Sequence, residues 1–211
     1  FGPNEDFSRY PRDENRDLDL ASSAGVDVMF CPSVDEVYGG SCTTVKVSGV
    51  ADRWEGPLRP GHFEGVATVV HKLFGMVRPS AAFFGLKDYQ QCRVIAKMVS
   101  DLYLPVELVF CETVREQDGL AMSSRNRYLS PEERAIAPKL HETLVAISRA
   151  QISLKTGLEE GAKKLGGLDF RVEYVAAVNP DMQPIESPEP GARLIAAAWL
   201  GKTRLIDNIA L

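Results

Sequence analysis

The stretch that decides the fold is Ala81-Ala-Phe-Phe-Gly-Leu-Lys-Asp-Tyr-Gln-Gln-Cys-Arg-Val-Ile-Ala-Lys-Met-Val-Ser-Asp-Leu-Tyr-Leu-Pro-Val-Glu-Leu-Val-Phe-Cys111. Ala81–Phe84 is a short apolar run, the mark of a buried strand, and Gly85 makes the turn that follows. Asp88 can cap a helix whose apolar stripe is Val94, Ile95, Met98, Val99 and Leu102. Pro105 punctuates, and Val106–Cys111 is a second apolar run. Strands apolar on both faces, separated by an amphipathic helix, belong to a parallel sheet covered on both sides with right-handed crossovers.

Upstream the same grammar holds. Val26-Asp-Val-Met-Phe-Cys31 and Thr43-Thr-Val-Lys-Val47 read as two further strands. The turn-rich loop Arg59-Pro-Gly-His-Phe-Glu-Gly65 runs into a helix, where Val66, Val69, Val70, Leu73, Phe74 and Val77 recur at helical spacing along one buried face. Arg78-Pro79 stops it. After Thr113 the pattern changes. Arg115–Arg127 is polar and loop-like, and Ser130-Pro-Glu-Glu133 is a capping box that opens a helix which Pro138 should kink or split. Another helix lies near Leu158–Leu165, and strand-like runs follow at Phe170–Val178, Arg193–Leu200 and Thr203–Ile209. The fold class is therefore α/β, a parallel-sheet domain over residues 1–113 joined to a smaller α+β domain over residues 114–211.

Composition narrows the function. Over 211 residues, 24 basic against 29 acidic side chains give a net charge of −5, so nucleic acid and anionic lipid are not expected partners. The most apolar stretch, Leu194–Leu200, is about a third of the roughly 20 residues that a membrane span needs. Phe1-Gly-Pro-Asn-Glu-Asp6 shows neither the basic nor the apolar region of a secretory signal. The four cysteines, Cys31, Cys42, Cys92 and Cys111, lack C-x-x-C spacing and read as reduced core or near-core thiols of a cytoplasmic protein. The chain opens without methionine in what reads as mid-loop sequence, so the expectation is a fragment of a longer protein.

Two segments could carry chemistry. Phe84-Gly-Leu-Lys-Asp-Tyr-Gln-Gln91 lies beyond the carboxyl end of a strand, where open parallel sheets bind ligands. Gly85 permits close backbone approach, the next helix brings its positive end, and Lys87 adds a full charge, so a phosphate or carboxylate fits. Gln91 can offer its amide to a hydroxyl or carboxylate. The same residues also read as a plain strand–helix turn with a solvated lysine. In Gly119-Leu-Ala-Met-Ser-Ser-Arg-Asn-Arg127, Ser123, Ser124 and Arg125 form a donor-rich run able to grip phosphate and to close over a nucleotide, or else an ordinary interdomain linker. His62, in the loop before its helix, can donate to a substrate or be a partly buried loop imidazole. His71 and His141 read as surface or edge positions, and Trp54 and Trp199 as packing residues. No histidine has zinc-ligand spacing, so no metal site is expected.

Taken together, these segments resemble the pantothenate synthetases, the pantoate–β-alanine ligases. The matching stretches are Arg9-Tyr-Pro-Arg12, Arg59-Pro-Gly-His-Phe-Glu-Gly-Val66, Phe84–Gln91, Asp118-Gly-Leu-Ala-Met-Ser-Ser-Arg-Asn-Arg-Tyr-Leu129, Ala196-Ala-Ala-Trp-Leu-Gly201 and Thr203-Arg-Leu-Ile-Asp-Asn208. The resemblance implies a Rossmann-like nucleotide-binding domain of the H-x-G-H nucleotidyltransferase type, a carboxyl-terminal lid and a homodimer. It places ATP contacts on Gly85, Leu86, Lys87, Asp88, Val114, Met122, Ser123, Ser124 and Arg125, with Lys87, Arg125 and Ser123 carrying catalysis. Pantoate then falls on Gln91, Val66, Val69 and Val70. The implied reaction has pantoate attack Mg2+-bound ATP to give pantoyl adenylate and pyrophosphate, after which the β-alanine amine displaces AMP.

Two departures stand out. Leu86 occupies a position where the family usually carries Glu or another residue. The family's H-x-G-H segment falls before Phe1; if these 211 residues are all that exists, the expectation is half a site, an incomplete sheet with an exposed edge, and little or no ligase activity. Other readings are a different nucleotidyltransferase of the same superfamily, or a non-catalytic dimerising fragment.

Overall fold

The computed structural model describes residues 13–211. The Arg9–Arg12 stretch lies outside them. Helix α1 (Glu14–Ser23) is capped by the Asp13 side chain, and α2 (Val34–Tyr38) by a Ser33/Glu36 capping box. The short α3 (Glu55–Leu58) and the long α4 (His62–Val77) come next. Strand β1 (Ala81–Gly85) leads through a 3-10 turn (Leu86–Asp88) into α5 (Tyr89–Asp101) and then β2 (Glu107–Cys111). The two strands pair in parallel, Ala81 opposite Glu107 through Gly85 opposite Cys111. The strand–helix–strand order and the parallel pairing follow the periodicity, but the sheet is not covered on both faces among the described residues: Phe83 is 68% exposed, and Leu102, expected on the buried stripe, is exposed just past the end of α5.

Upstream, the structure corrects the sequence. Neither 26–31 nor 43–47 forms a strand; the parallel sheet has two strands among the described residues. Apolar, extended backbone becomes a strand only where a neighbour accepts its ladder. Instead the Val45 amide donates to Thr68 Oγ1 of α4 at 2.9 Å, and Val45 and Val47 lean on the core beneath that helix. Val28 and Phe30 remain exposed. The apolar stripe of α4 is also only half buried. Val66, Val69, Val70, Leu73 and Phe74 are half-buried and Val77 is solvent-exposed, whereas the residues that α4 does bury, Phe63, Ala67 and Thr68, lie outside that stripe.

The chain from Thr113 on begins with a small loop closed by a bridge between Arg115 and Ala121. A second 3-10 turn (Ser124–Tyr128) follows, then α6 (Pro131–Ile136), α7 (Lys139–Arg149) and α8 (Leu154–Gly166). The break between α6 and α7 falls at Pro138, as that residue dictates. Strands β3 (Phe170–Val178), β4 (Arg193–Leu200) and β5 (Thr203–Ala210) form an antiparallel sheet in that order.

Central strand β4 shows how the layers join. Its side chains alternate with period two. Leu194, Ala196, Ala198 and Leu200 pack with Leu140, Leu144, Ile147 and Leu165 of α7 and α8. Ile195, on the other face, packs with Phe63, Ala67, Val94, Ile95 and Met98 of α4 and α5. The antiparallel sheet is therefore a wall shared by two cores. No helix among the described residues is long and apolar enough to cross a membrane.

Candidate functional site

A cleft of about 600 Å³ opens between the parallel-sheet layer and that wall. From α4 come His62, Val66 and Val69; from the turn after β1 come Lys87 and Asp88; from α5, Gln91; and from the second 3-10 turn, Arg125. Two cations far apart in sequence thus share one cleft with an amide and a valine-lined patch. The half-buried stripe of α4 has its explanation here, since a face that borders a cleft cannot also be sealed by packing. The remaining residues singled out from sequence, Val70, Gly85, Leu86, Val114, Met122, Ser123 and Ser124, are not on the cleft wall itself. Val70 and Leu86 pack against the core, and Val114 and Met122 are exposed and joined by a Met122 N–H to Val114 carbonyl bond of 2.9 Å.

Several local roles differ from the sequence reading. His62 is the first residue of α4 rather than part of the preceding loop, and Arg59 Nη1 donates to its Nε2 at 2.9 Å. The Asp88 carboxylate makes no helix-capping bond, because the Leu86–Asp88 turn carries the chain into α5 before a cap geometry arises. Ser123 Oγ accepts from the Arg125 amide at 3.3 Å, which starts the turn that presents the guanidinium. His141 is no edge residue; its Nδ1 lies 3.3 Å from Asp207 Oδ2. Of the four cysteines, Cys92 alone is buried.

Buried polar groups that local sequence gave no reason to single out frame the cleft. Gln90 Nε2 donates to the Val50 and Arg53 carbonyls at 2.8 Å each, and its Oε1 accepts from the Glu55 amide at 3.1 Å. Glu55 accepts from Arg204 through both terminal nitrogens at 2.7 Å, and from the Tyr174 hydroxyl at 2.5 Å. Burial alone would raise the Glu55 carboxyl, but these donors and the Arg204 charge outweigh it and hold the group below its ordinary value. Burial and the neighbouring Glu55 charge push the Tyr174 phenol up, so it remains a donor.

A second cluster sits on β5. Arg115 grips Asp207 bidentately at 2.7 and 2.9 Å, and its Nη1 also donates to the Gly119 carbonyl at 3.0 Å, tying down the loop that precedes Arg125. Burial would raise Asp207, yet His141, Arg115 and the Asn208 amide hold it low. The available signal was the pattern of β5: Arg204, Asp207 and Asn208, with Thr203, are polar residues in a strand whose remaining residues are apolar, and buried polar groups need partners. What those partners are, 90 to 150 positions away, is not written locally.

Among the described residues no group of three or more His, Cys, Asp or Glu side chains could hold a metal ion. Lys87 and Arg125 bring two cationic groups to a cleft whose lining also carries the Gln91 amide, the Asp88 and Asp207 carboxylates and the apolar side chains of Val66 and Val69. Comparison with known proteins agrees with that geometry. A family model described as pantoate-beta-alanine ligase matches residues 1–210. The pantothenate synthetase of Acidiphilium cryptum is 50% identical over 100% of this chain and 78% of its own length. The crystal structure of pantothenate synthetase from Thermus thermophilus superposes with a TM-score of 0.95 at 49% identity, covering 99% of this chain and 78% of that one. The pantoate-beta-alanine ligase from Francisella tularensis, complexed with beta-gamma ATP and beta-alanine, superposes with a TM-score of 0.82 at 32% identity, covering 99% of this chain and 74% of that one.

Proposed function

The chain belongs to the pantoate–β-alanine ligase family, and on that premise we propose how its cleft divides the work. The enzyme is a ligase that joins pantoate to β-alanine with ATP to form pantothenate. In our reading the pantoate carboxylate attacks the α-phosphorus, pyrophosphate leaves, and the β-alanine amine then attacks the acyl carbonyl of pantoyl adenylate and releases AMP. The observation that carries this reading is that Lys87 and Arg125 line one cleft with Gln91, Val66 and Val69.

Such a reaction asks for position and charge neutralisation more than for covalent help. Lys87 and Arg125 receive the charge that gathers on the departing pyrophosphate, and Ser123 supports them with its hydroxyl. The Lys87–Asp88 turn takes the remainder of the nucleotide on the cleft wall, and Gly85, Leu86, Val114, Met122 and Ser124, which lie off that wall, reach it only if the loops close over the bound nucleotide. Gln91 and His62 bind pantoate polar groups against Val66 and Val69, and Val70, off the cleft wall, backs those two valines from the core.

Magnesium is held in such sites by one or two carboxylates together with substrate phosphates. Asp88, on the cleft wall and without a capping bond, fits that requirement. When bound, the ion neutralises phosphate charge. Residues 1–113 then hold the nucleotide, residues 114–211 close over it, and the enzyme works as a cytoplasmic homodimer.

The decisive test is isotope exchange between pyrophosphate and ATP in the full chain. Exchange should require pantoate and proceed without β-alanine. Lys87→Ala should slow it about 10²–10³-fold, the usual effect of removing one donor to developing charge. Near-normal exchange in that variant removes Lys87 from the reaction.

A further inference from the structure

We propose that Asn208 on β5 is a positioning residue for the nucleotide step: its carboxamide fixes the main chain of the turn from which Lys87 reaches the cleft. Asn208 Nδ2 donates to the Leu86 carbonyl at 2.8 Å and to the Lys87 carbonyl at 3.0 Å. On its other side, Oδ1 accepts from Arg193 Nε at 2.7 Å. The orientation of the amide is unambiguous. A guanidinium can only donate and a carbonyl can only accept, so the oxygen must face Arg193 and the nitrogen must face the turn. Arg193 is itself seated over the Tyr89 ring, 5.2 Å from its centroid, and Asn208 is 3% exposed. Both hydrogens and the oxygen of the amide have partners, which is the condition for a buried amide to hold a fixed geometry.

The turn needs such an anchor. Leu86–Asp88 is three residues of 3-10 geometry with no side-chain capping bond at either junction. Gly85 before it brings no side chain to pack, and Lys87 has a long flexible stem. The two carbonyls caught by Asn208 flank the Lys87 Cα, so they set the starting point of that stem. A catalytic group displaced by about 1 Å can lose roughly 100-fold in rate. Because the anchor belongs to the antiparallel sheet, the lysine is registered to the wall of the cleft opposite its own strand.

The inference rests on reading Lys87 as a phosphate ligand, so Lys87→Ala is assayed beside the Asn208 variants. Asn208→Leu removes the donor at similar size. Asn208→Asp keeps the shape and the bond from Arg193 while removing the donor, and it decides the matter should Asn208→Leu fail to fold. The expected result is a KM for ATP raised about tenfold and pantoate-dependent pyrophosphate exchange slowed at least tenfold. The KM for β-alanine, and the rate at which added pantoyl adenylate is converted by β-alanine, should stay within twofold of wild type. A merely structural role would lower both half-reactions together and leave the ATP KM in place, and that outcome overturns the proposal. Loss of exchange in Lys87→Ala with wild-type ATP use in the Asn208 variants overturns the positioning role alone. Wild-type ATP use in Lys87→Ala overturns both.

Discussion

Arg204 grips both carboxylate oxygens of Glu55 at 2.7 Å, from the last strand of the antiparallel sheet to a four-residue helix 149 positions earlier. Its Nε simultaneously donates to Glu173 at 2.7 Å, and Tyr174 adds its hydroxyl to Glu55. One arginine thus locks three segments of chain together at the cleft wall, which Glu55 and Tyr174 line.

Breaking a buried pair by neutralising one partner is costly, because the other charge is left behind. Glu55→Gln should lower stability at pH 7 by about 3 kcal/mol in urea unfolding. The native Glu55 carboxyl titrates below its ordinary value of 4.5, so the unfolded chain binds the proton more readily. The contribution of the pair is therefore complete above that pH and is lost as pH falls through the native value. The gap between wild type and Glu55→Gln should shrink on going from pH 7 to pH 3. A gap of equal size at both would show that the carboxylate charge does not matter.

Arg125 offers a planar fork where lysine offers a point charge. Arg125→Lys keeps the sign of the charge but gives up a charged hydrogen bond, worth about 1.5–3 kcal/mol. Pyrophosphate exchange should fall roughly 10- to 100-fold. Exchange at the wild-type rate would mean that Arg125 acts through charge alone.

Gly56 is needed for space. A Cβ there would sit 1.9 Å from the Ala51 carbonyl oxygen and 3.0 Å from its carbon, both main-chain atoms. Alanine gains at most about 1 kcal/mol of helix propensity, whereas forcing backbone apart costs about 1–3 kcal/mol. Gly56→Ala should therefore melt at a lower temperature than wild type. A melting temperature at or above wild type contradicts the close approach.

Cys92 should be chemically silent. Burial, with the Asp88 charge adding to it, pushes its thiol up to about 12, and the thiolate is the reactive form. Iodoacetamide at pH 8 should label Cys31, Cys42 and Cys111, all exposed, and reach Cys92 only after unfolding. Mass spectrometry of the native protein reads this directly. Labelling of Cys92 at the rate of the others would place it at the surface.

Local pattern alone determined much of this protein. The apolar runs at 81–84 and 106–111, the Ser130 capping box, the break at Pro138 and the three C-terminal strands all follow from short-range sterics and period, which act within a few residues. Local pattern left Lys87, Gln91 and Arg125 open to a plain structural reading, and the family resemblance singled them out; that they line one cleft with Val66 and Val69 is a fact of the fold. Tertiary structure decided the rest. Val26–Cys31 and Thr43–Val47 have strand composition but no strand, because a ladder requires a partner that a segment cannot supply for itself. The supports of the cleft, Glu55 with Arg204, Asp207 with Arg115, and Asn208 with the Lys87 turn, join residues around 90 to 150 positions apart. Each half is an ordinary polar residue until folding removes the water around it, and only then must it find its partner.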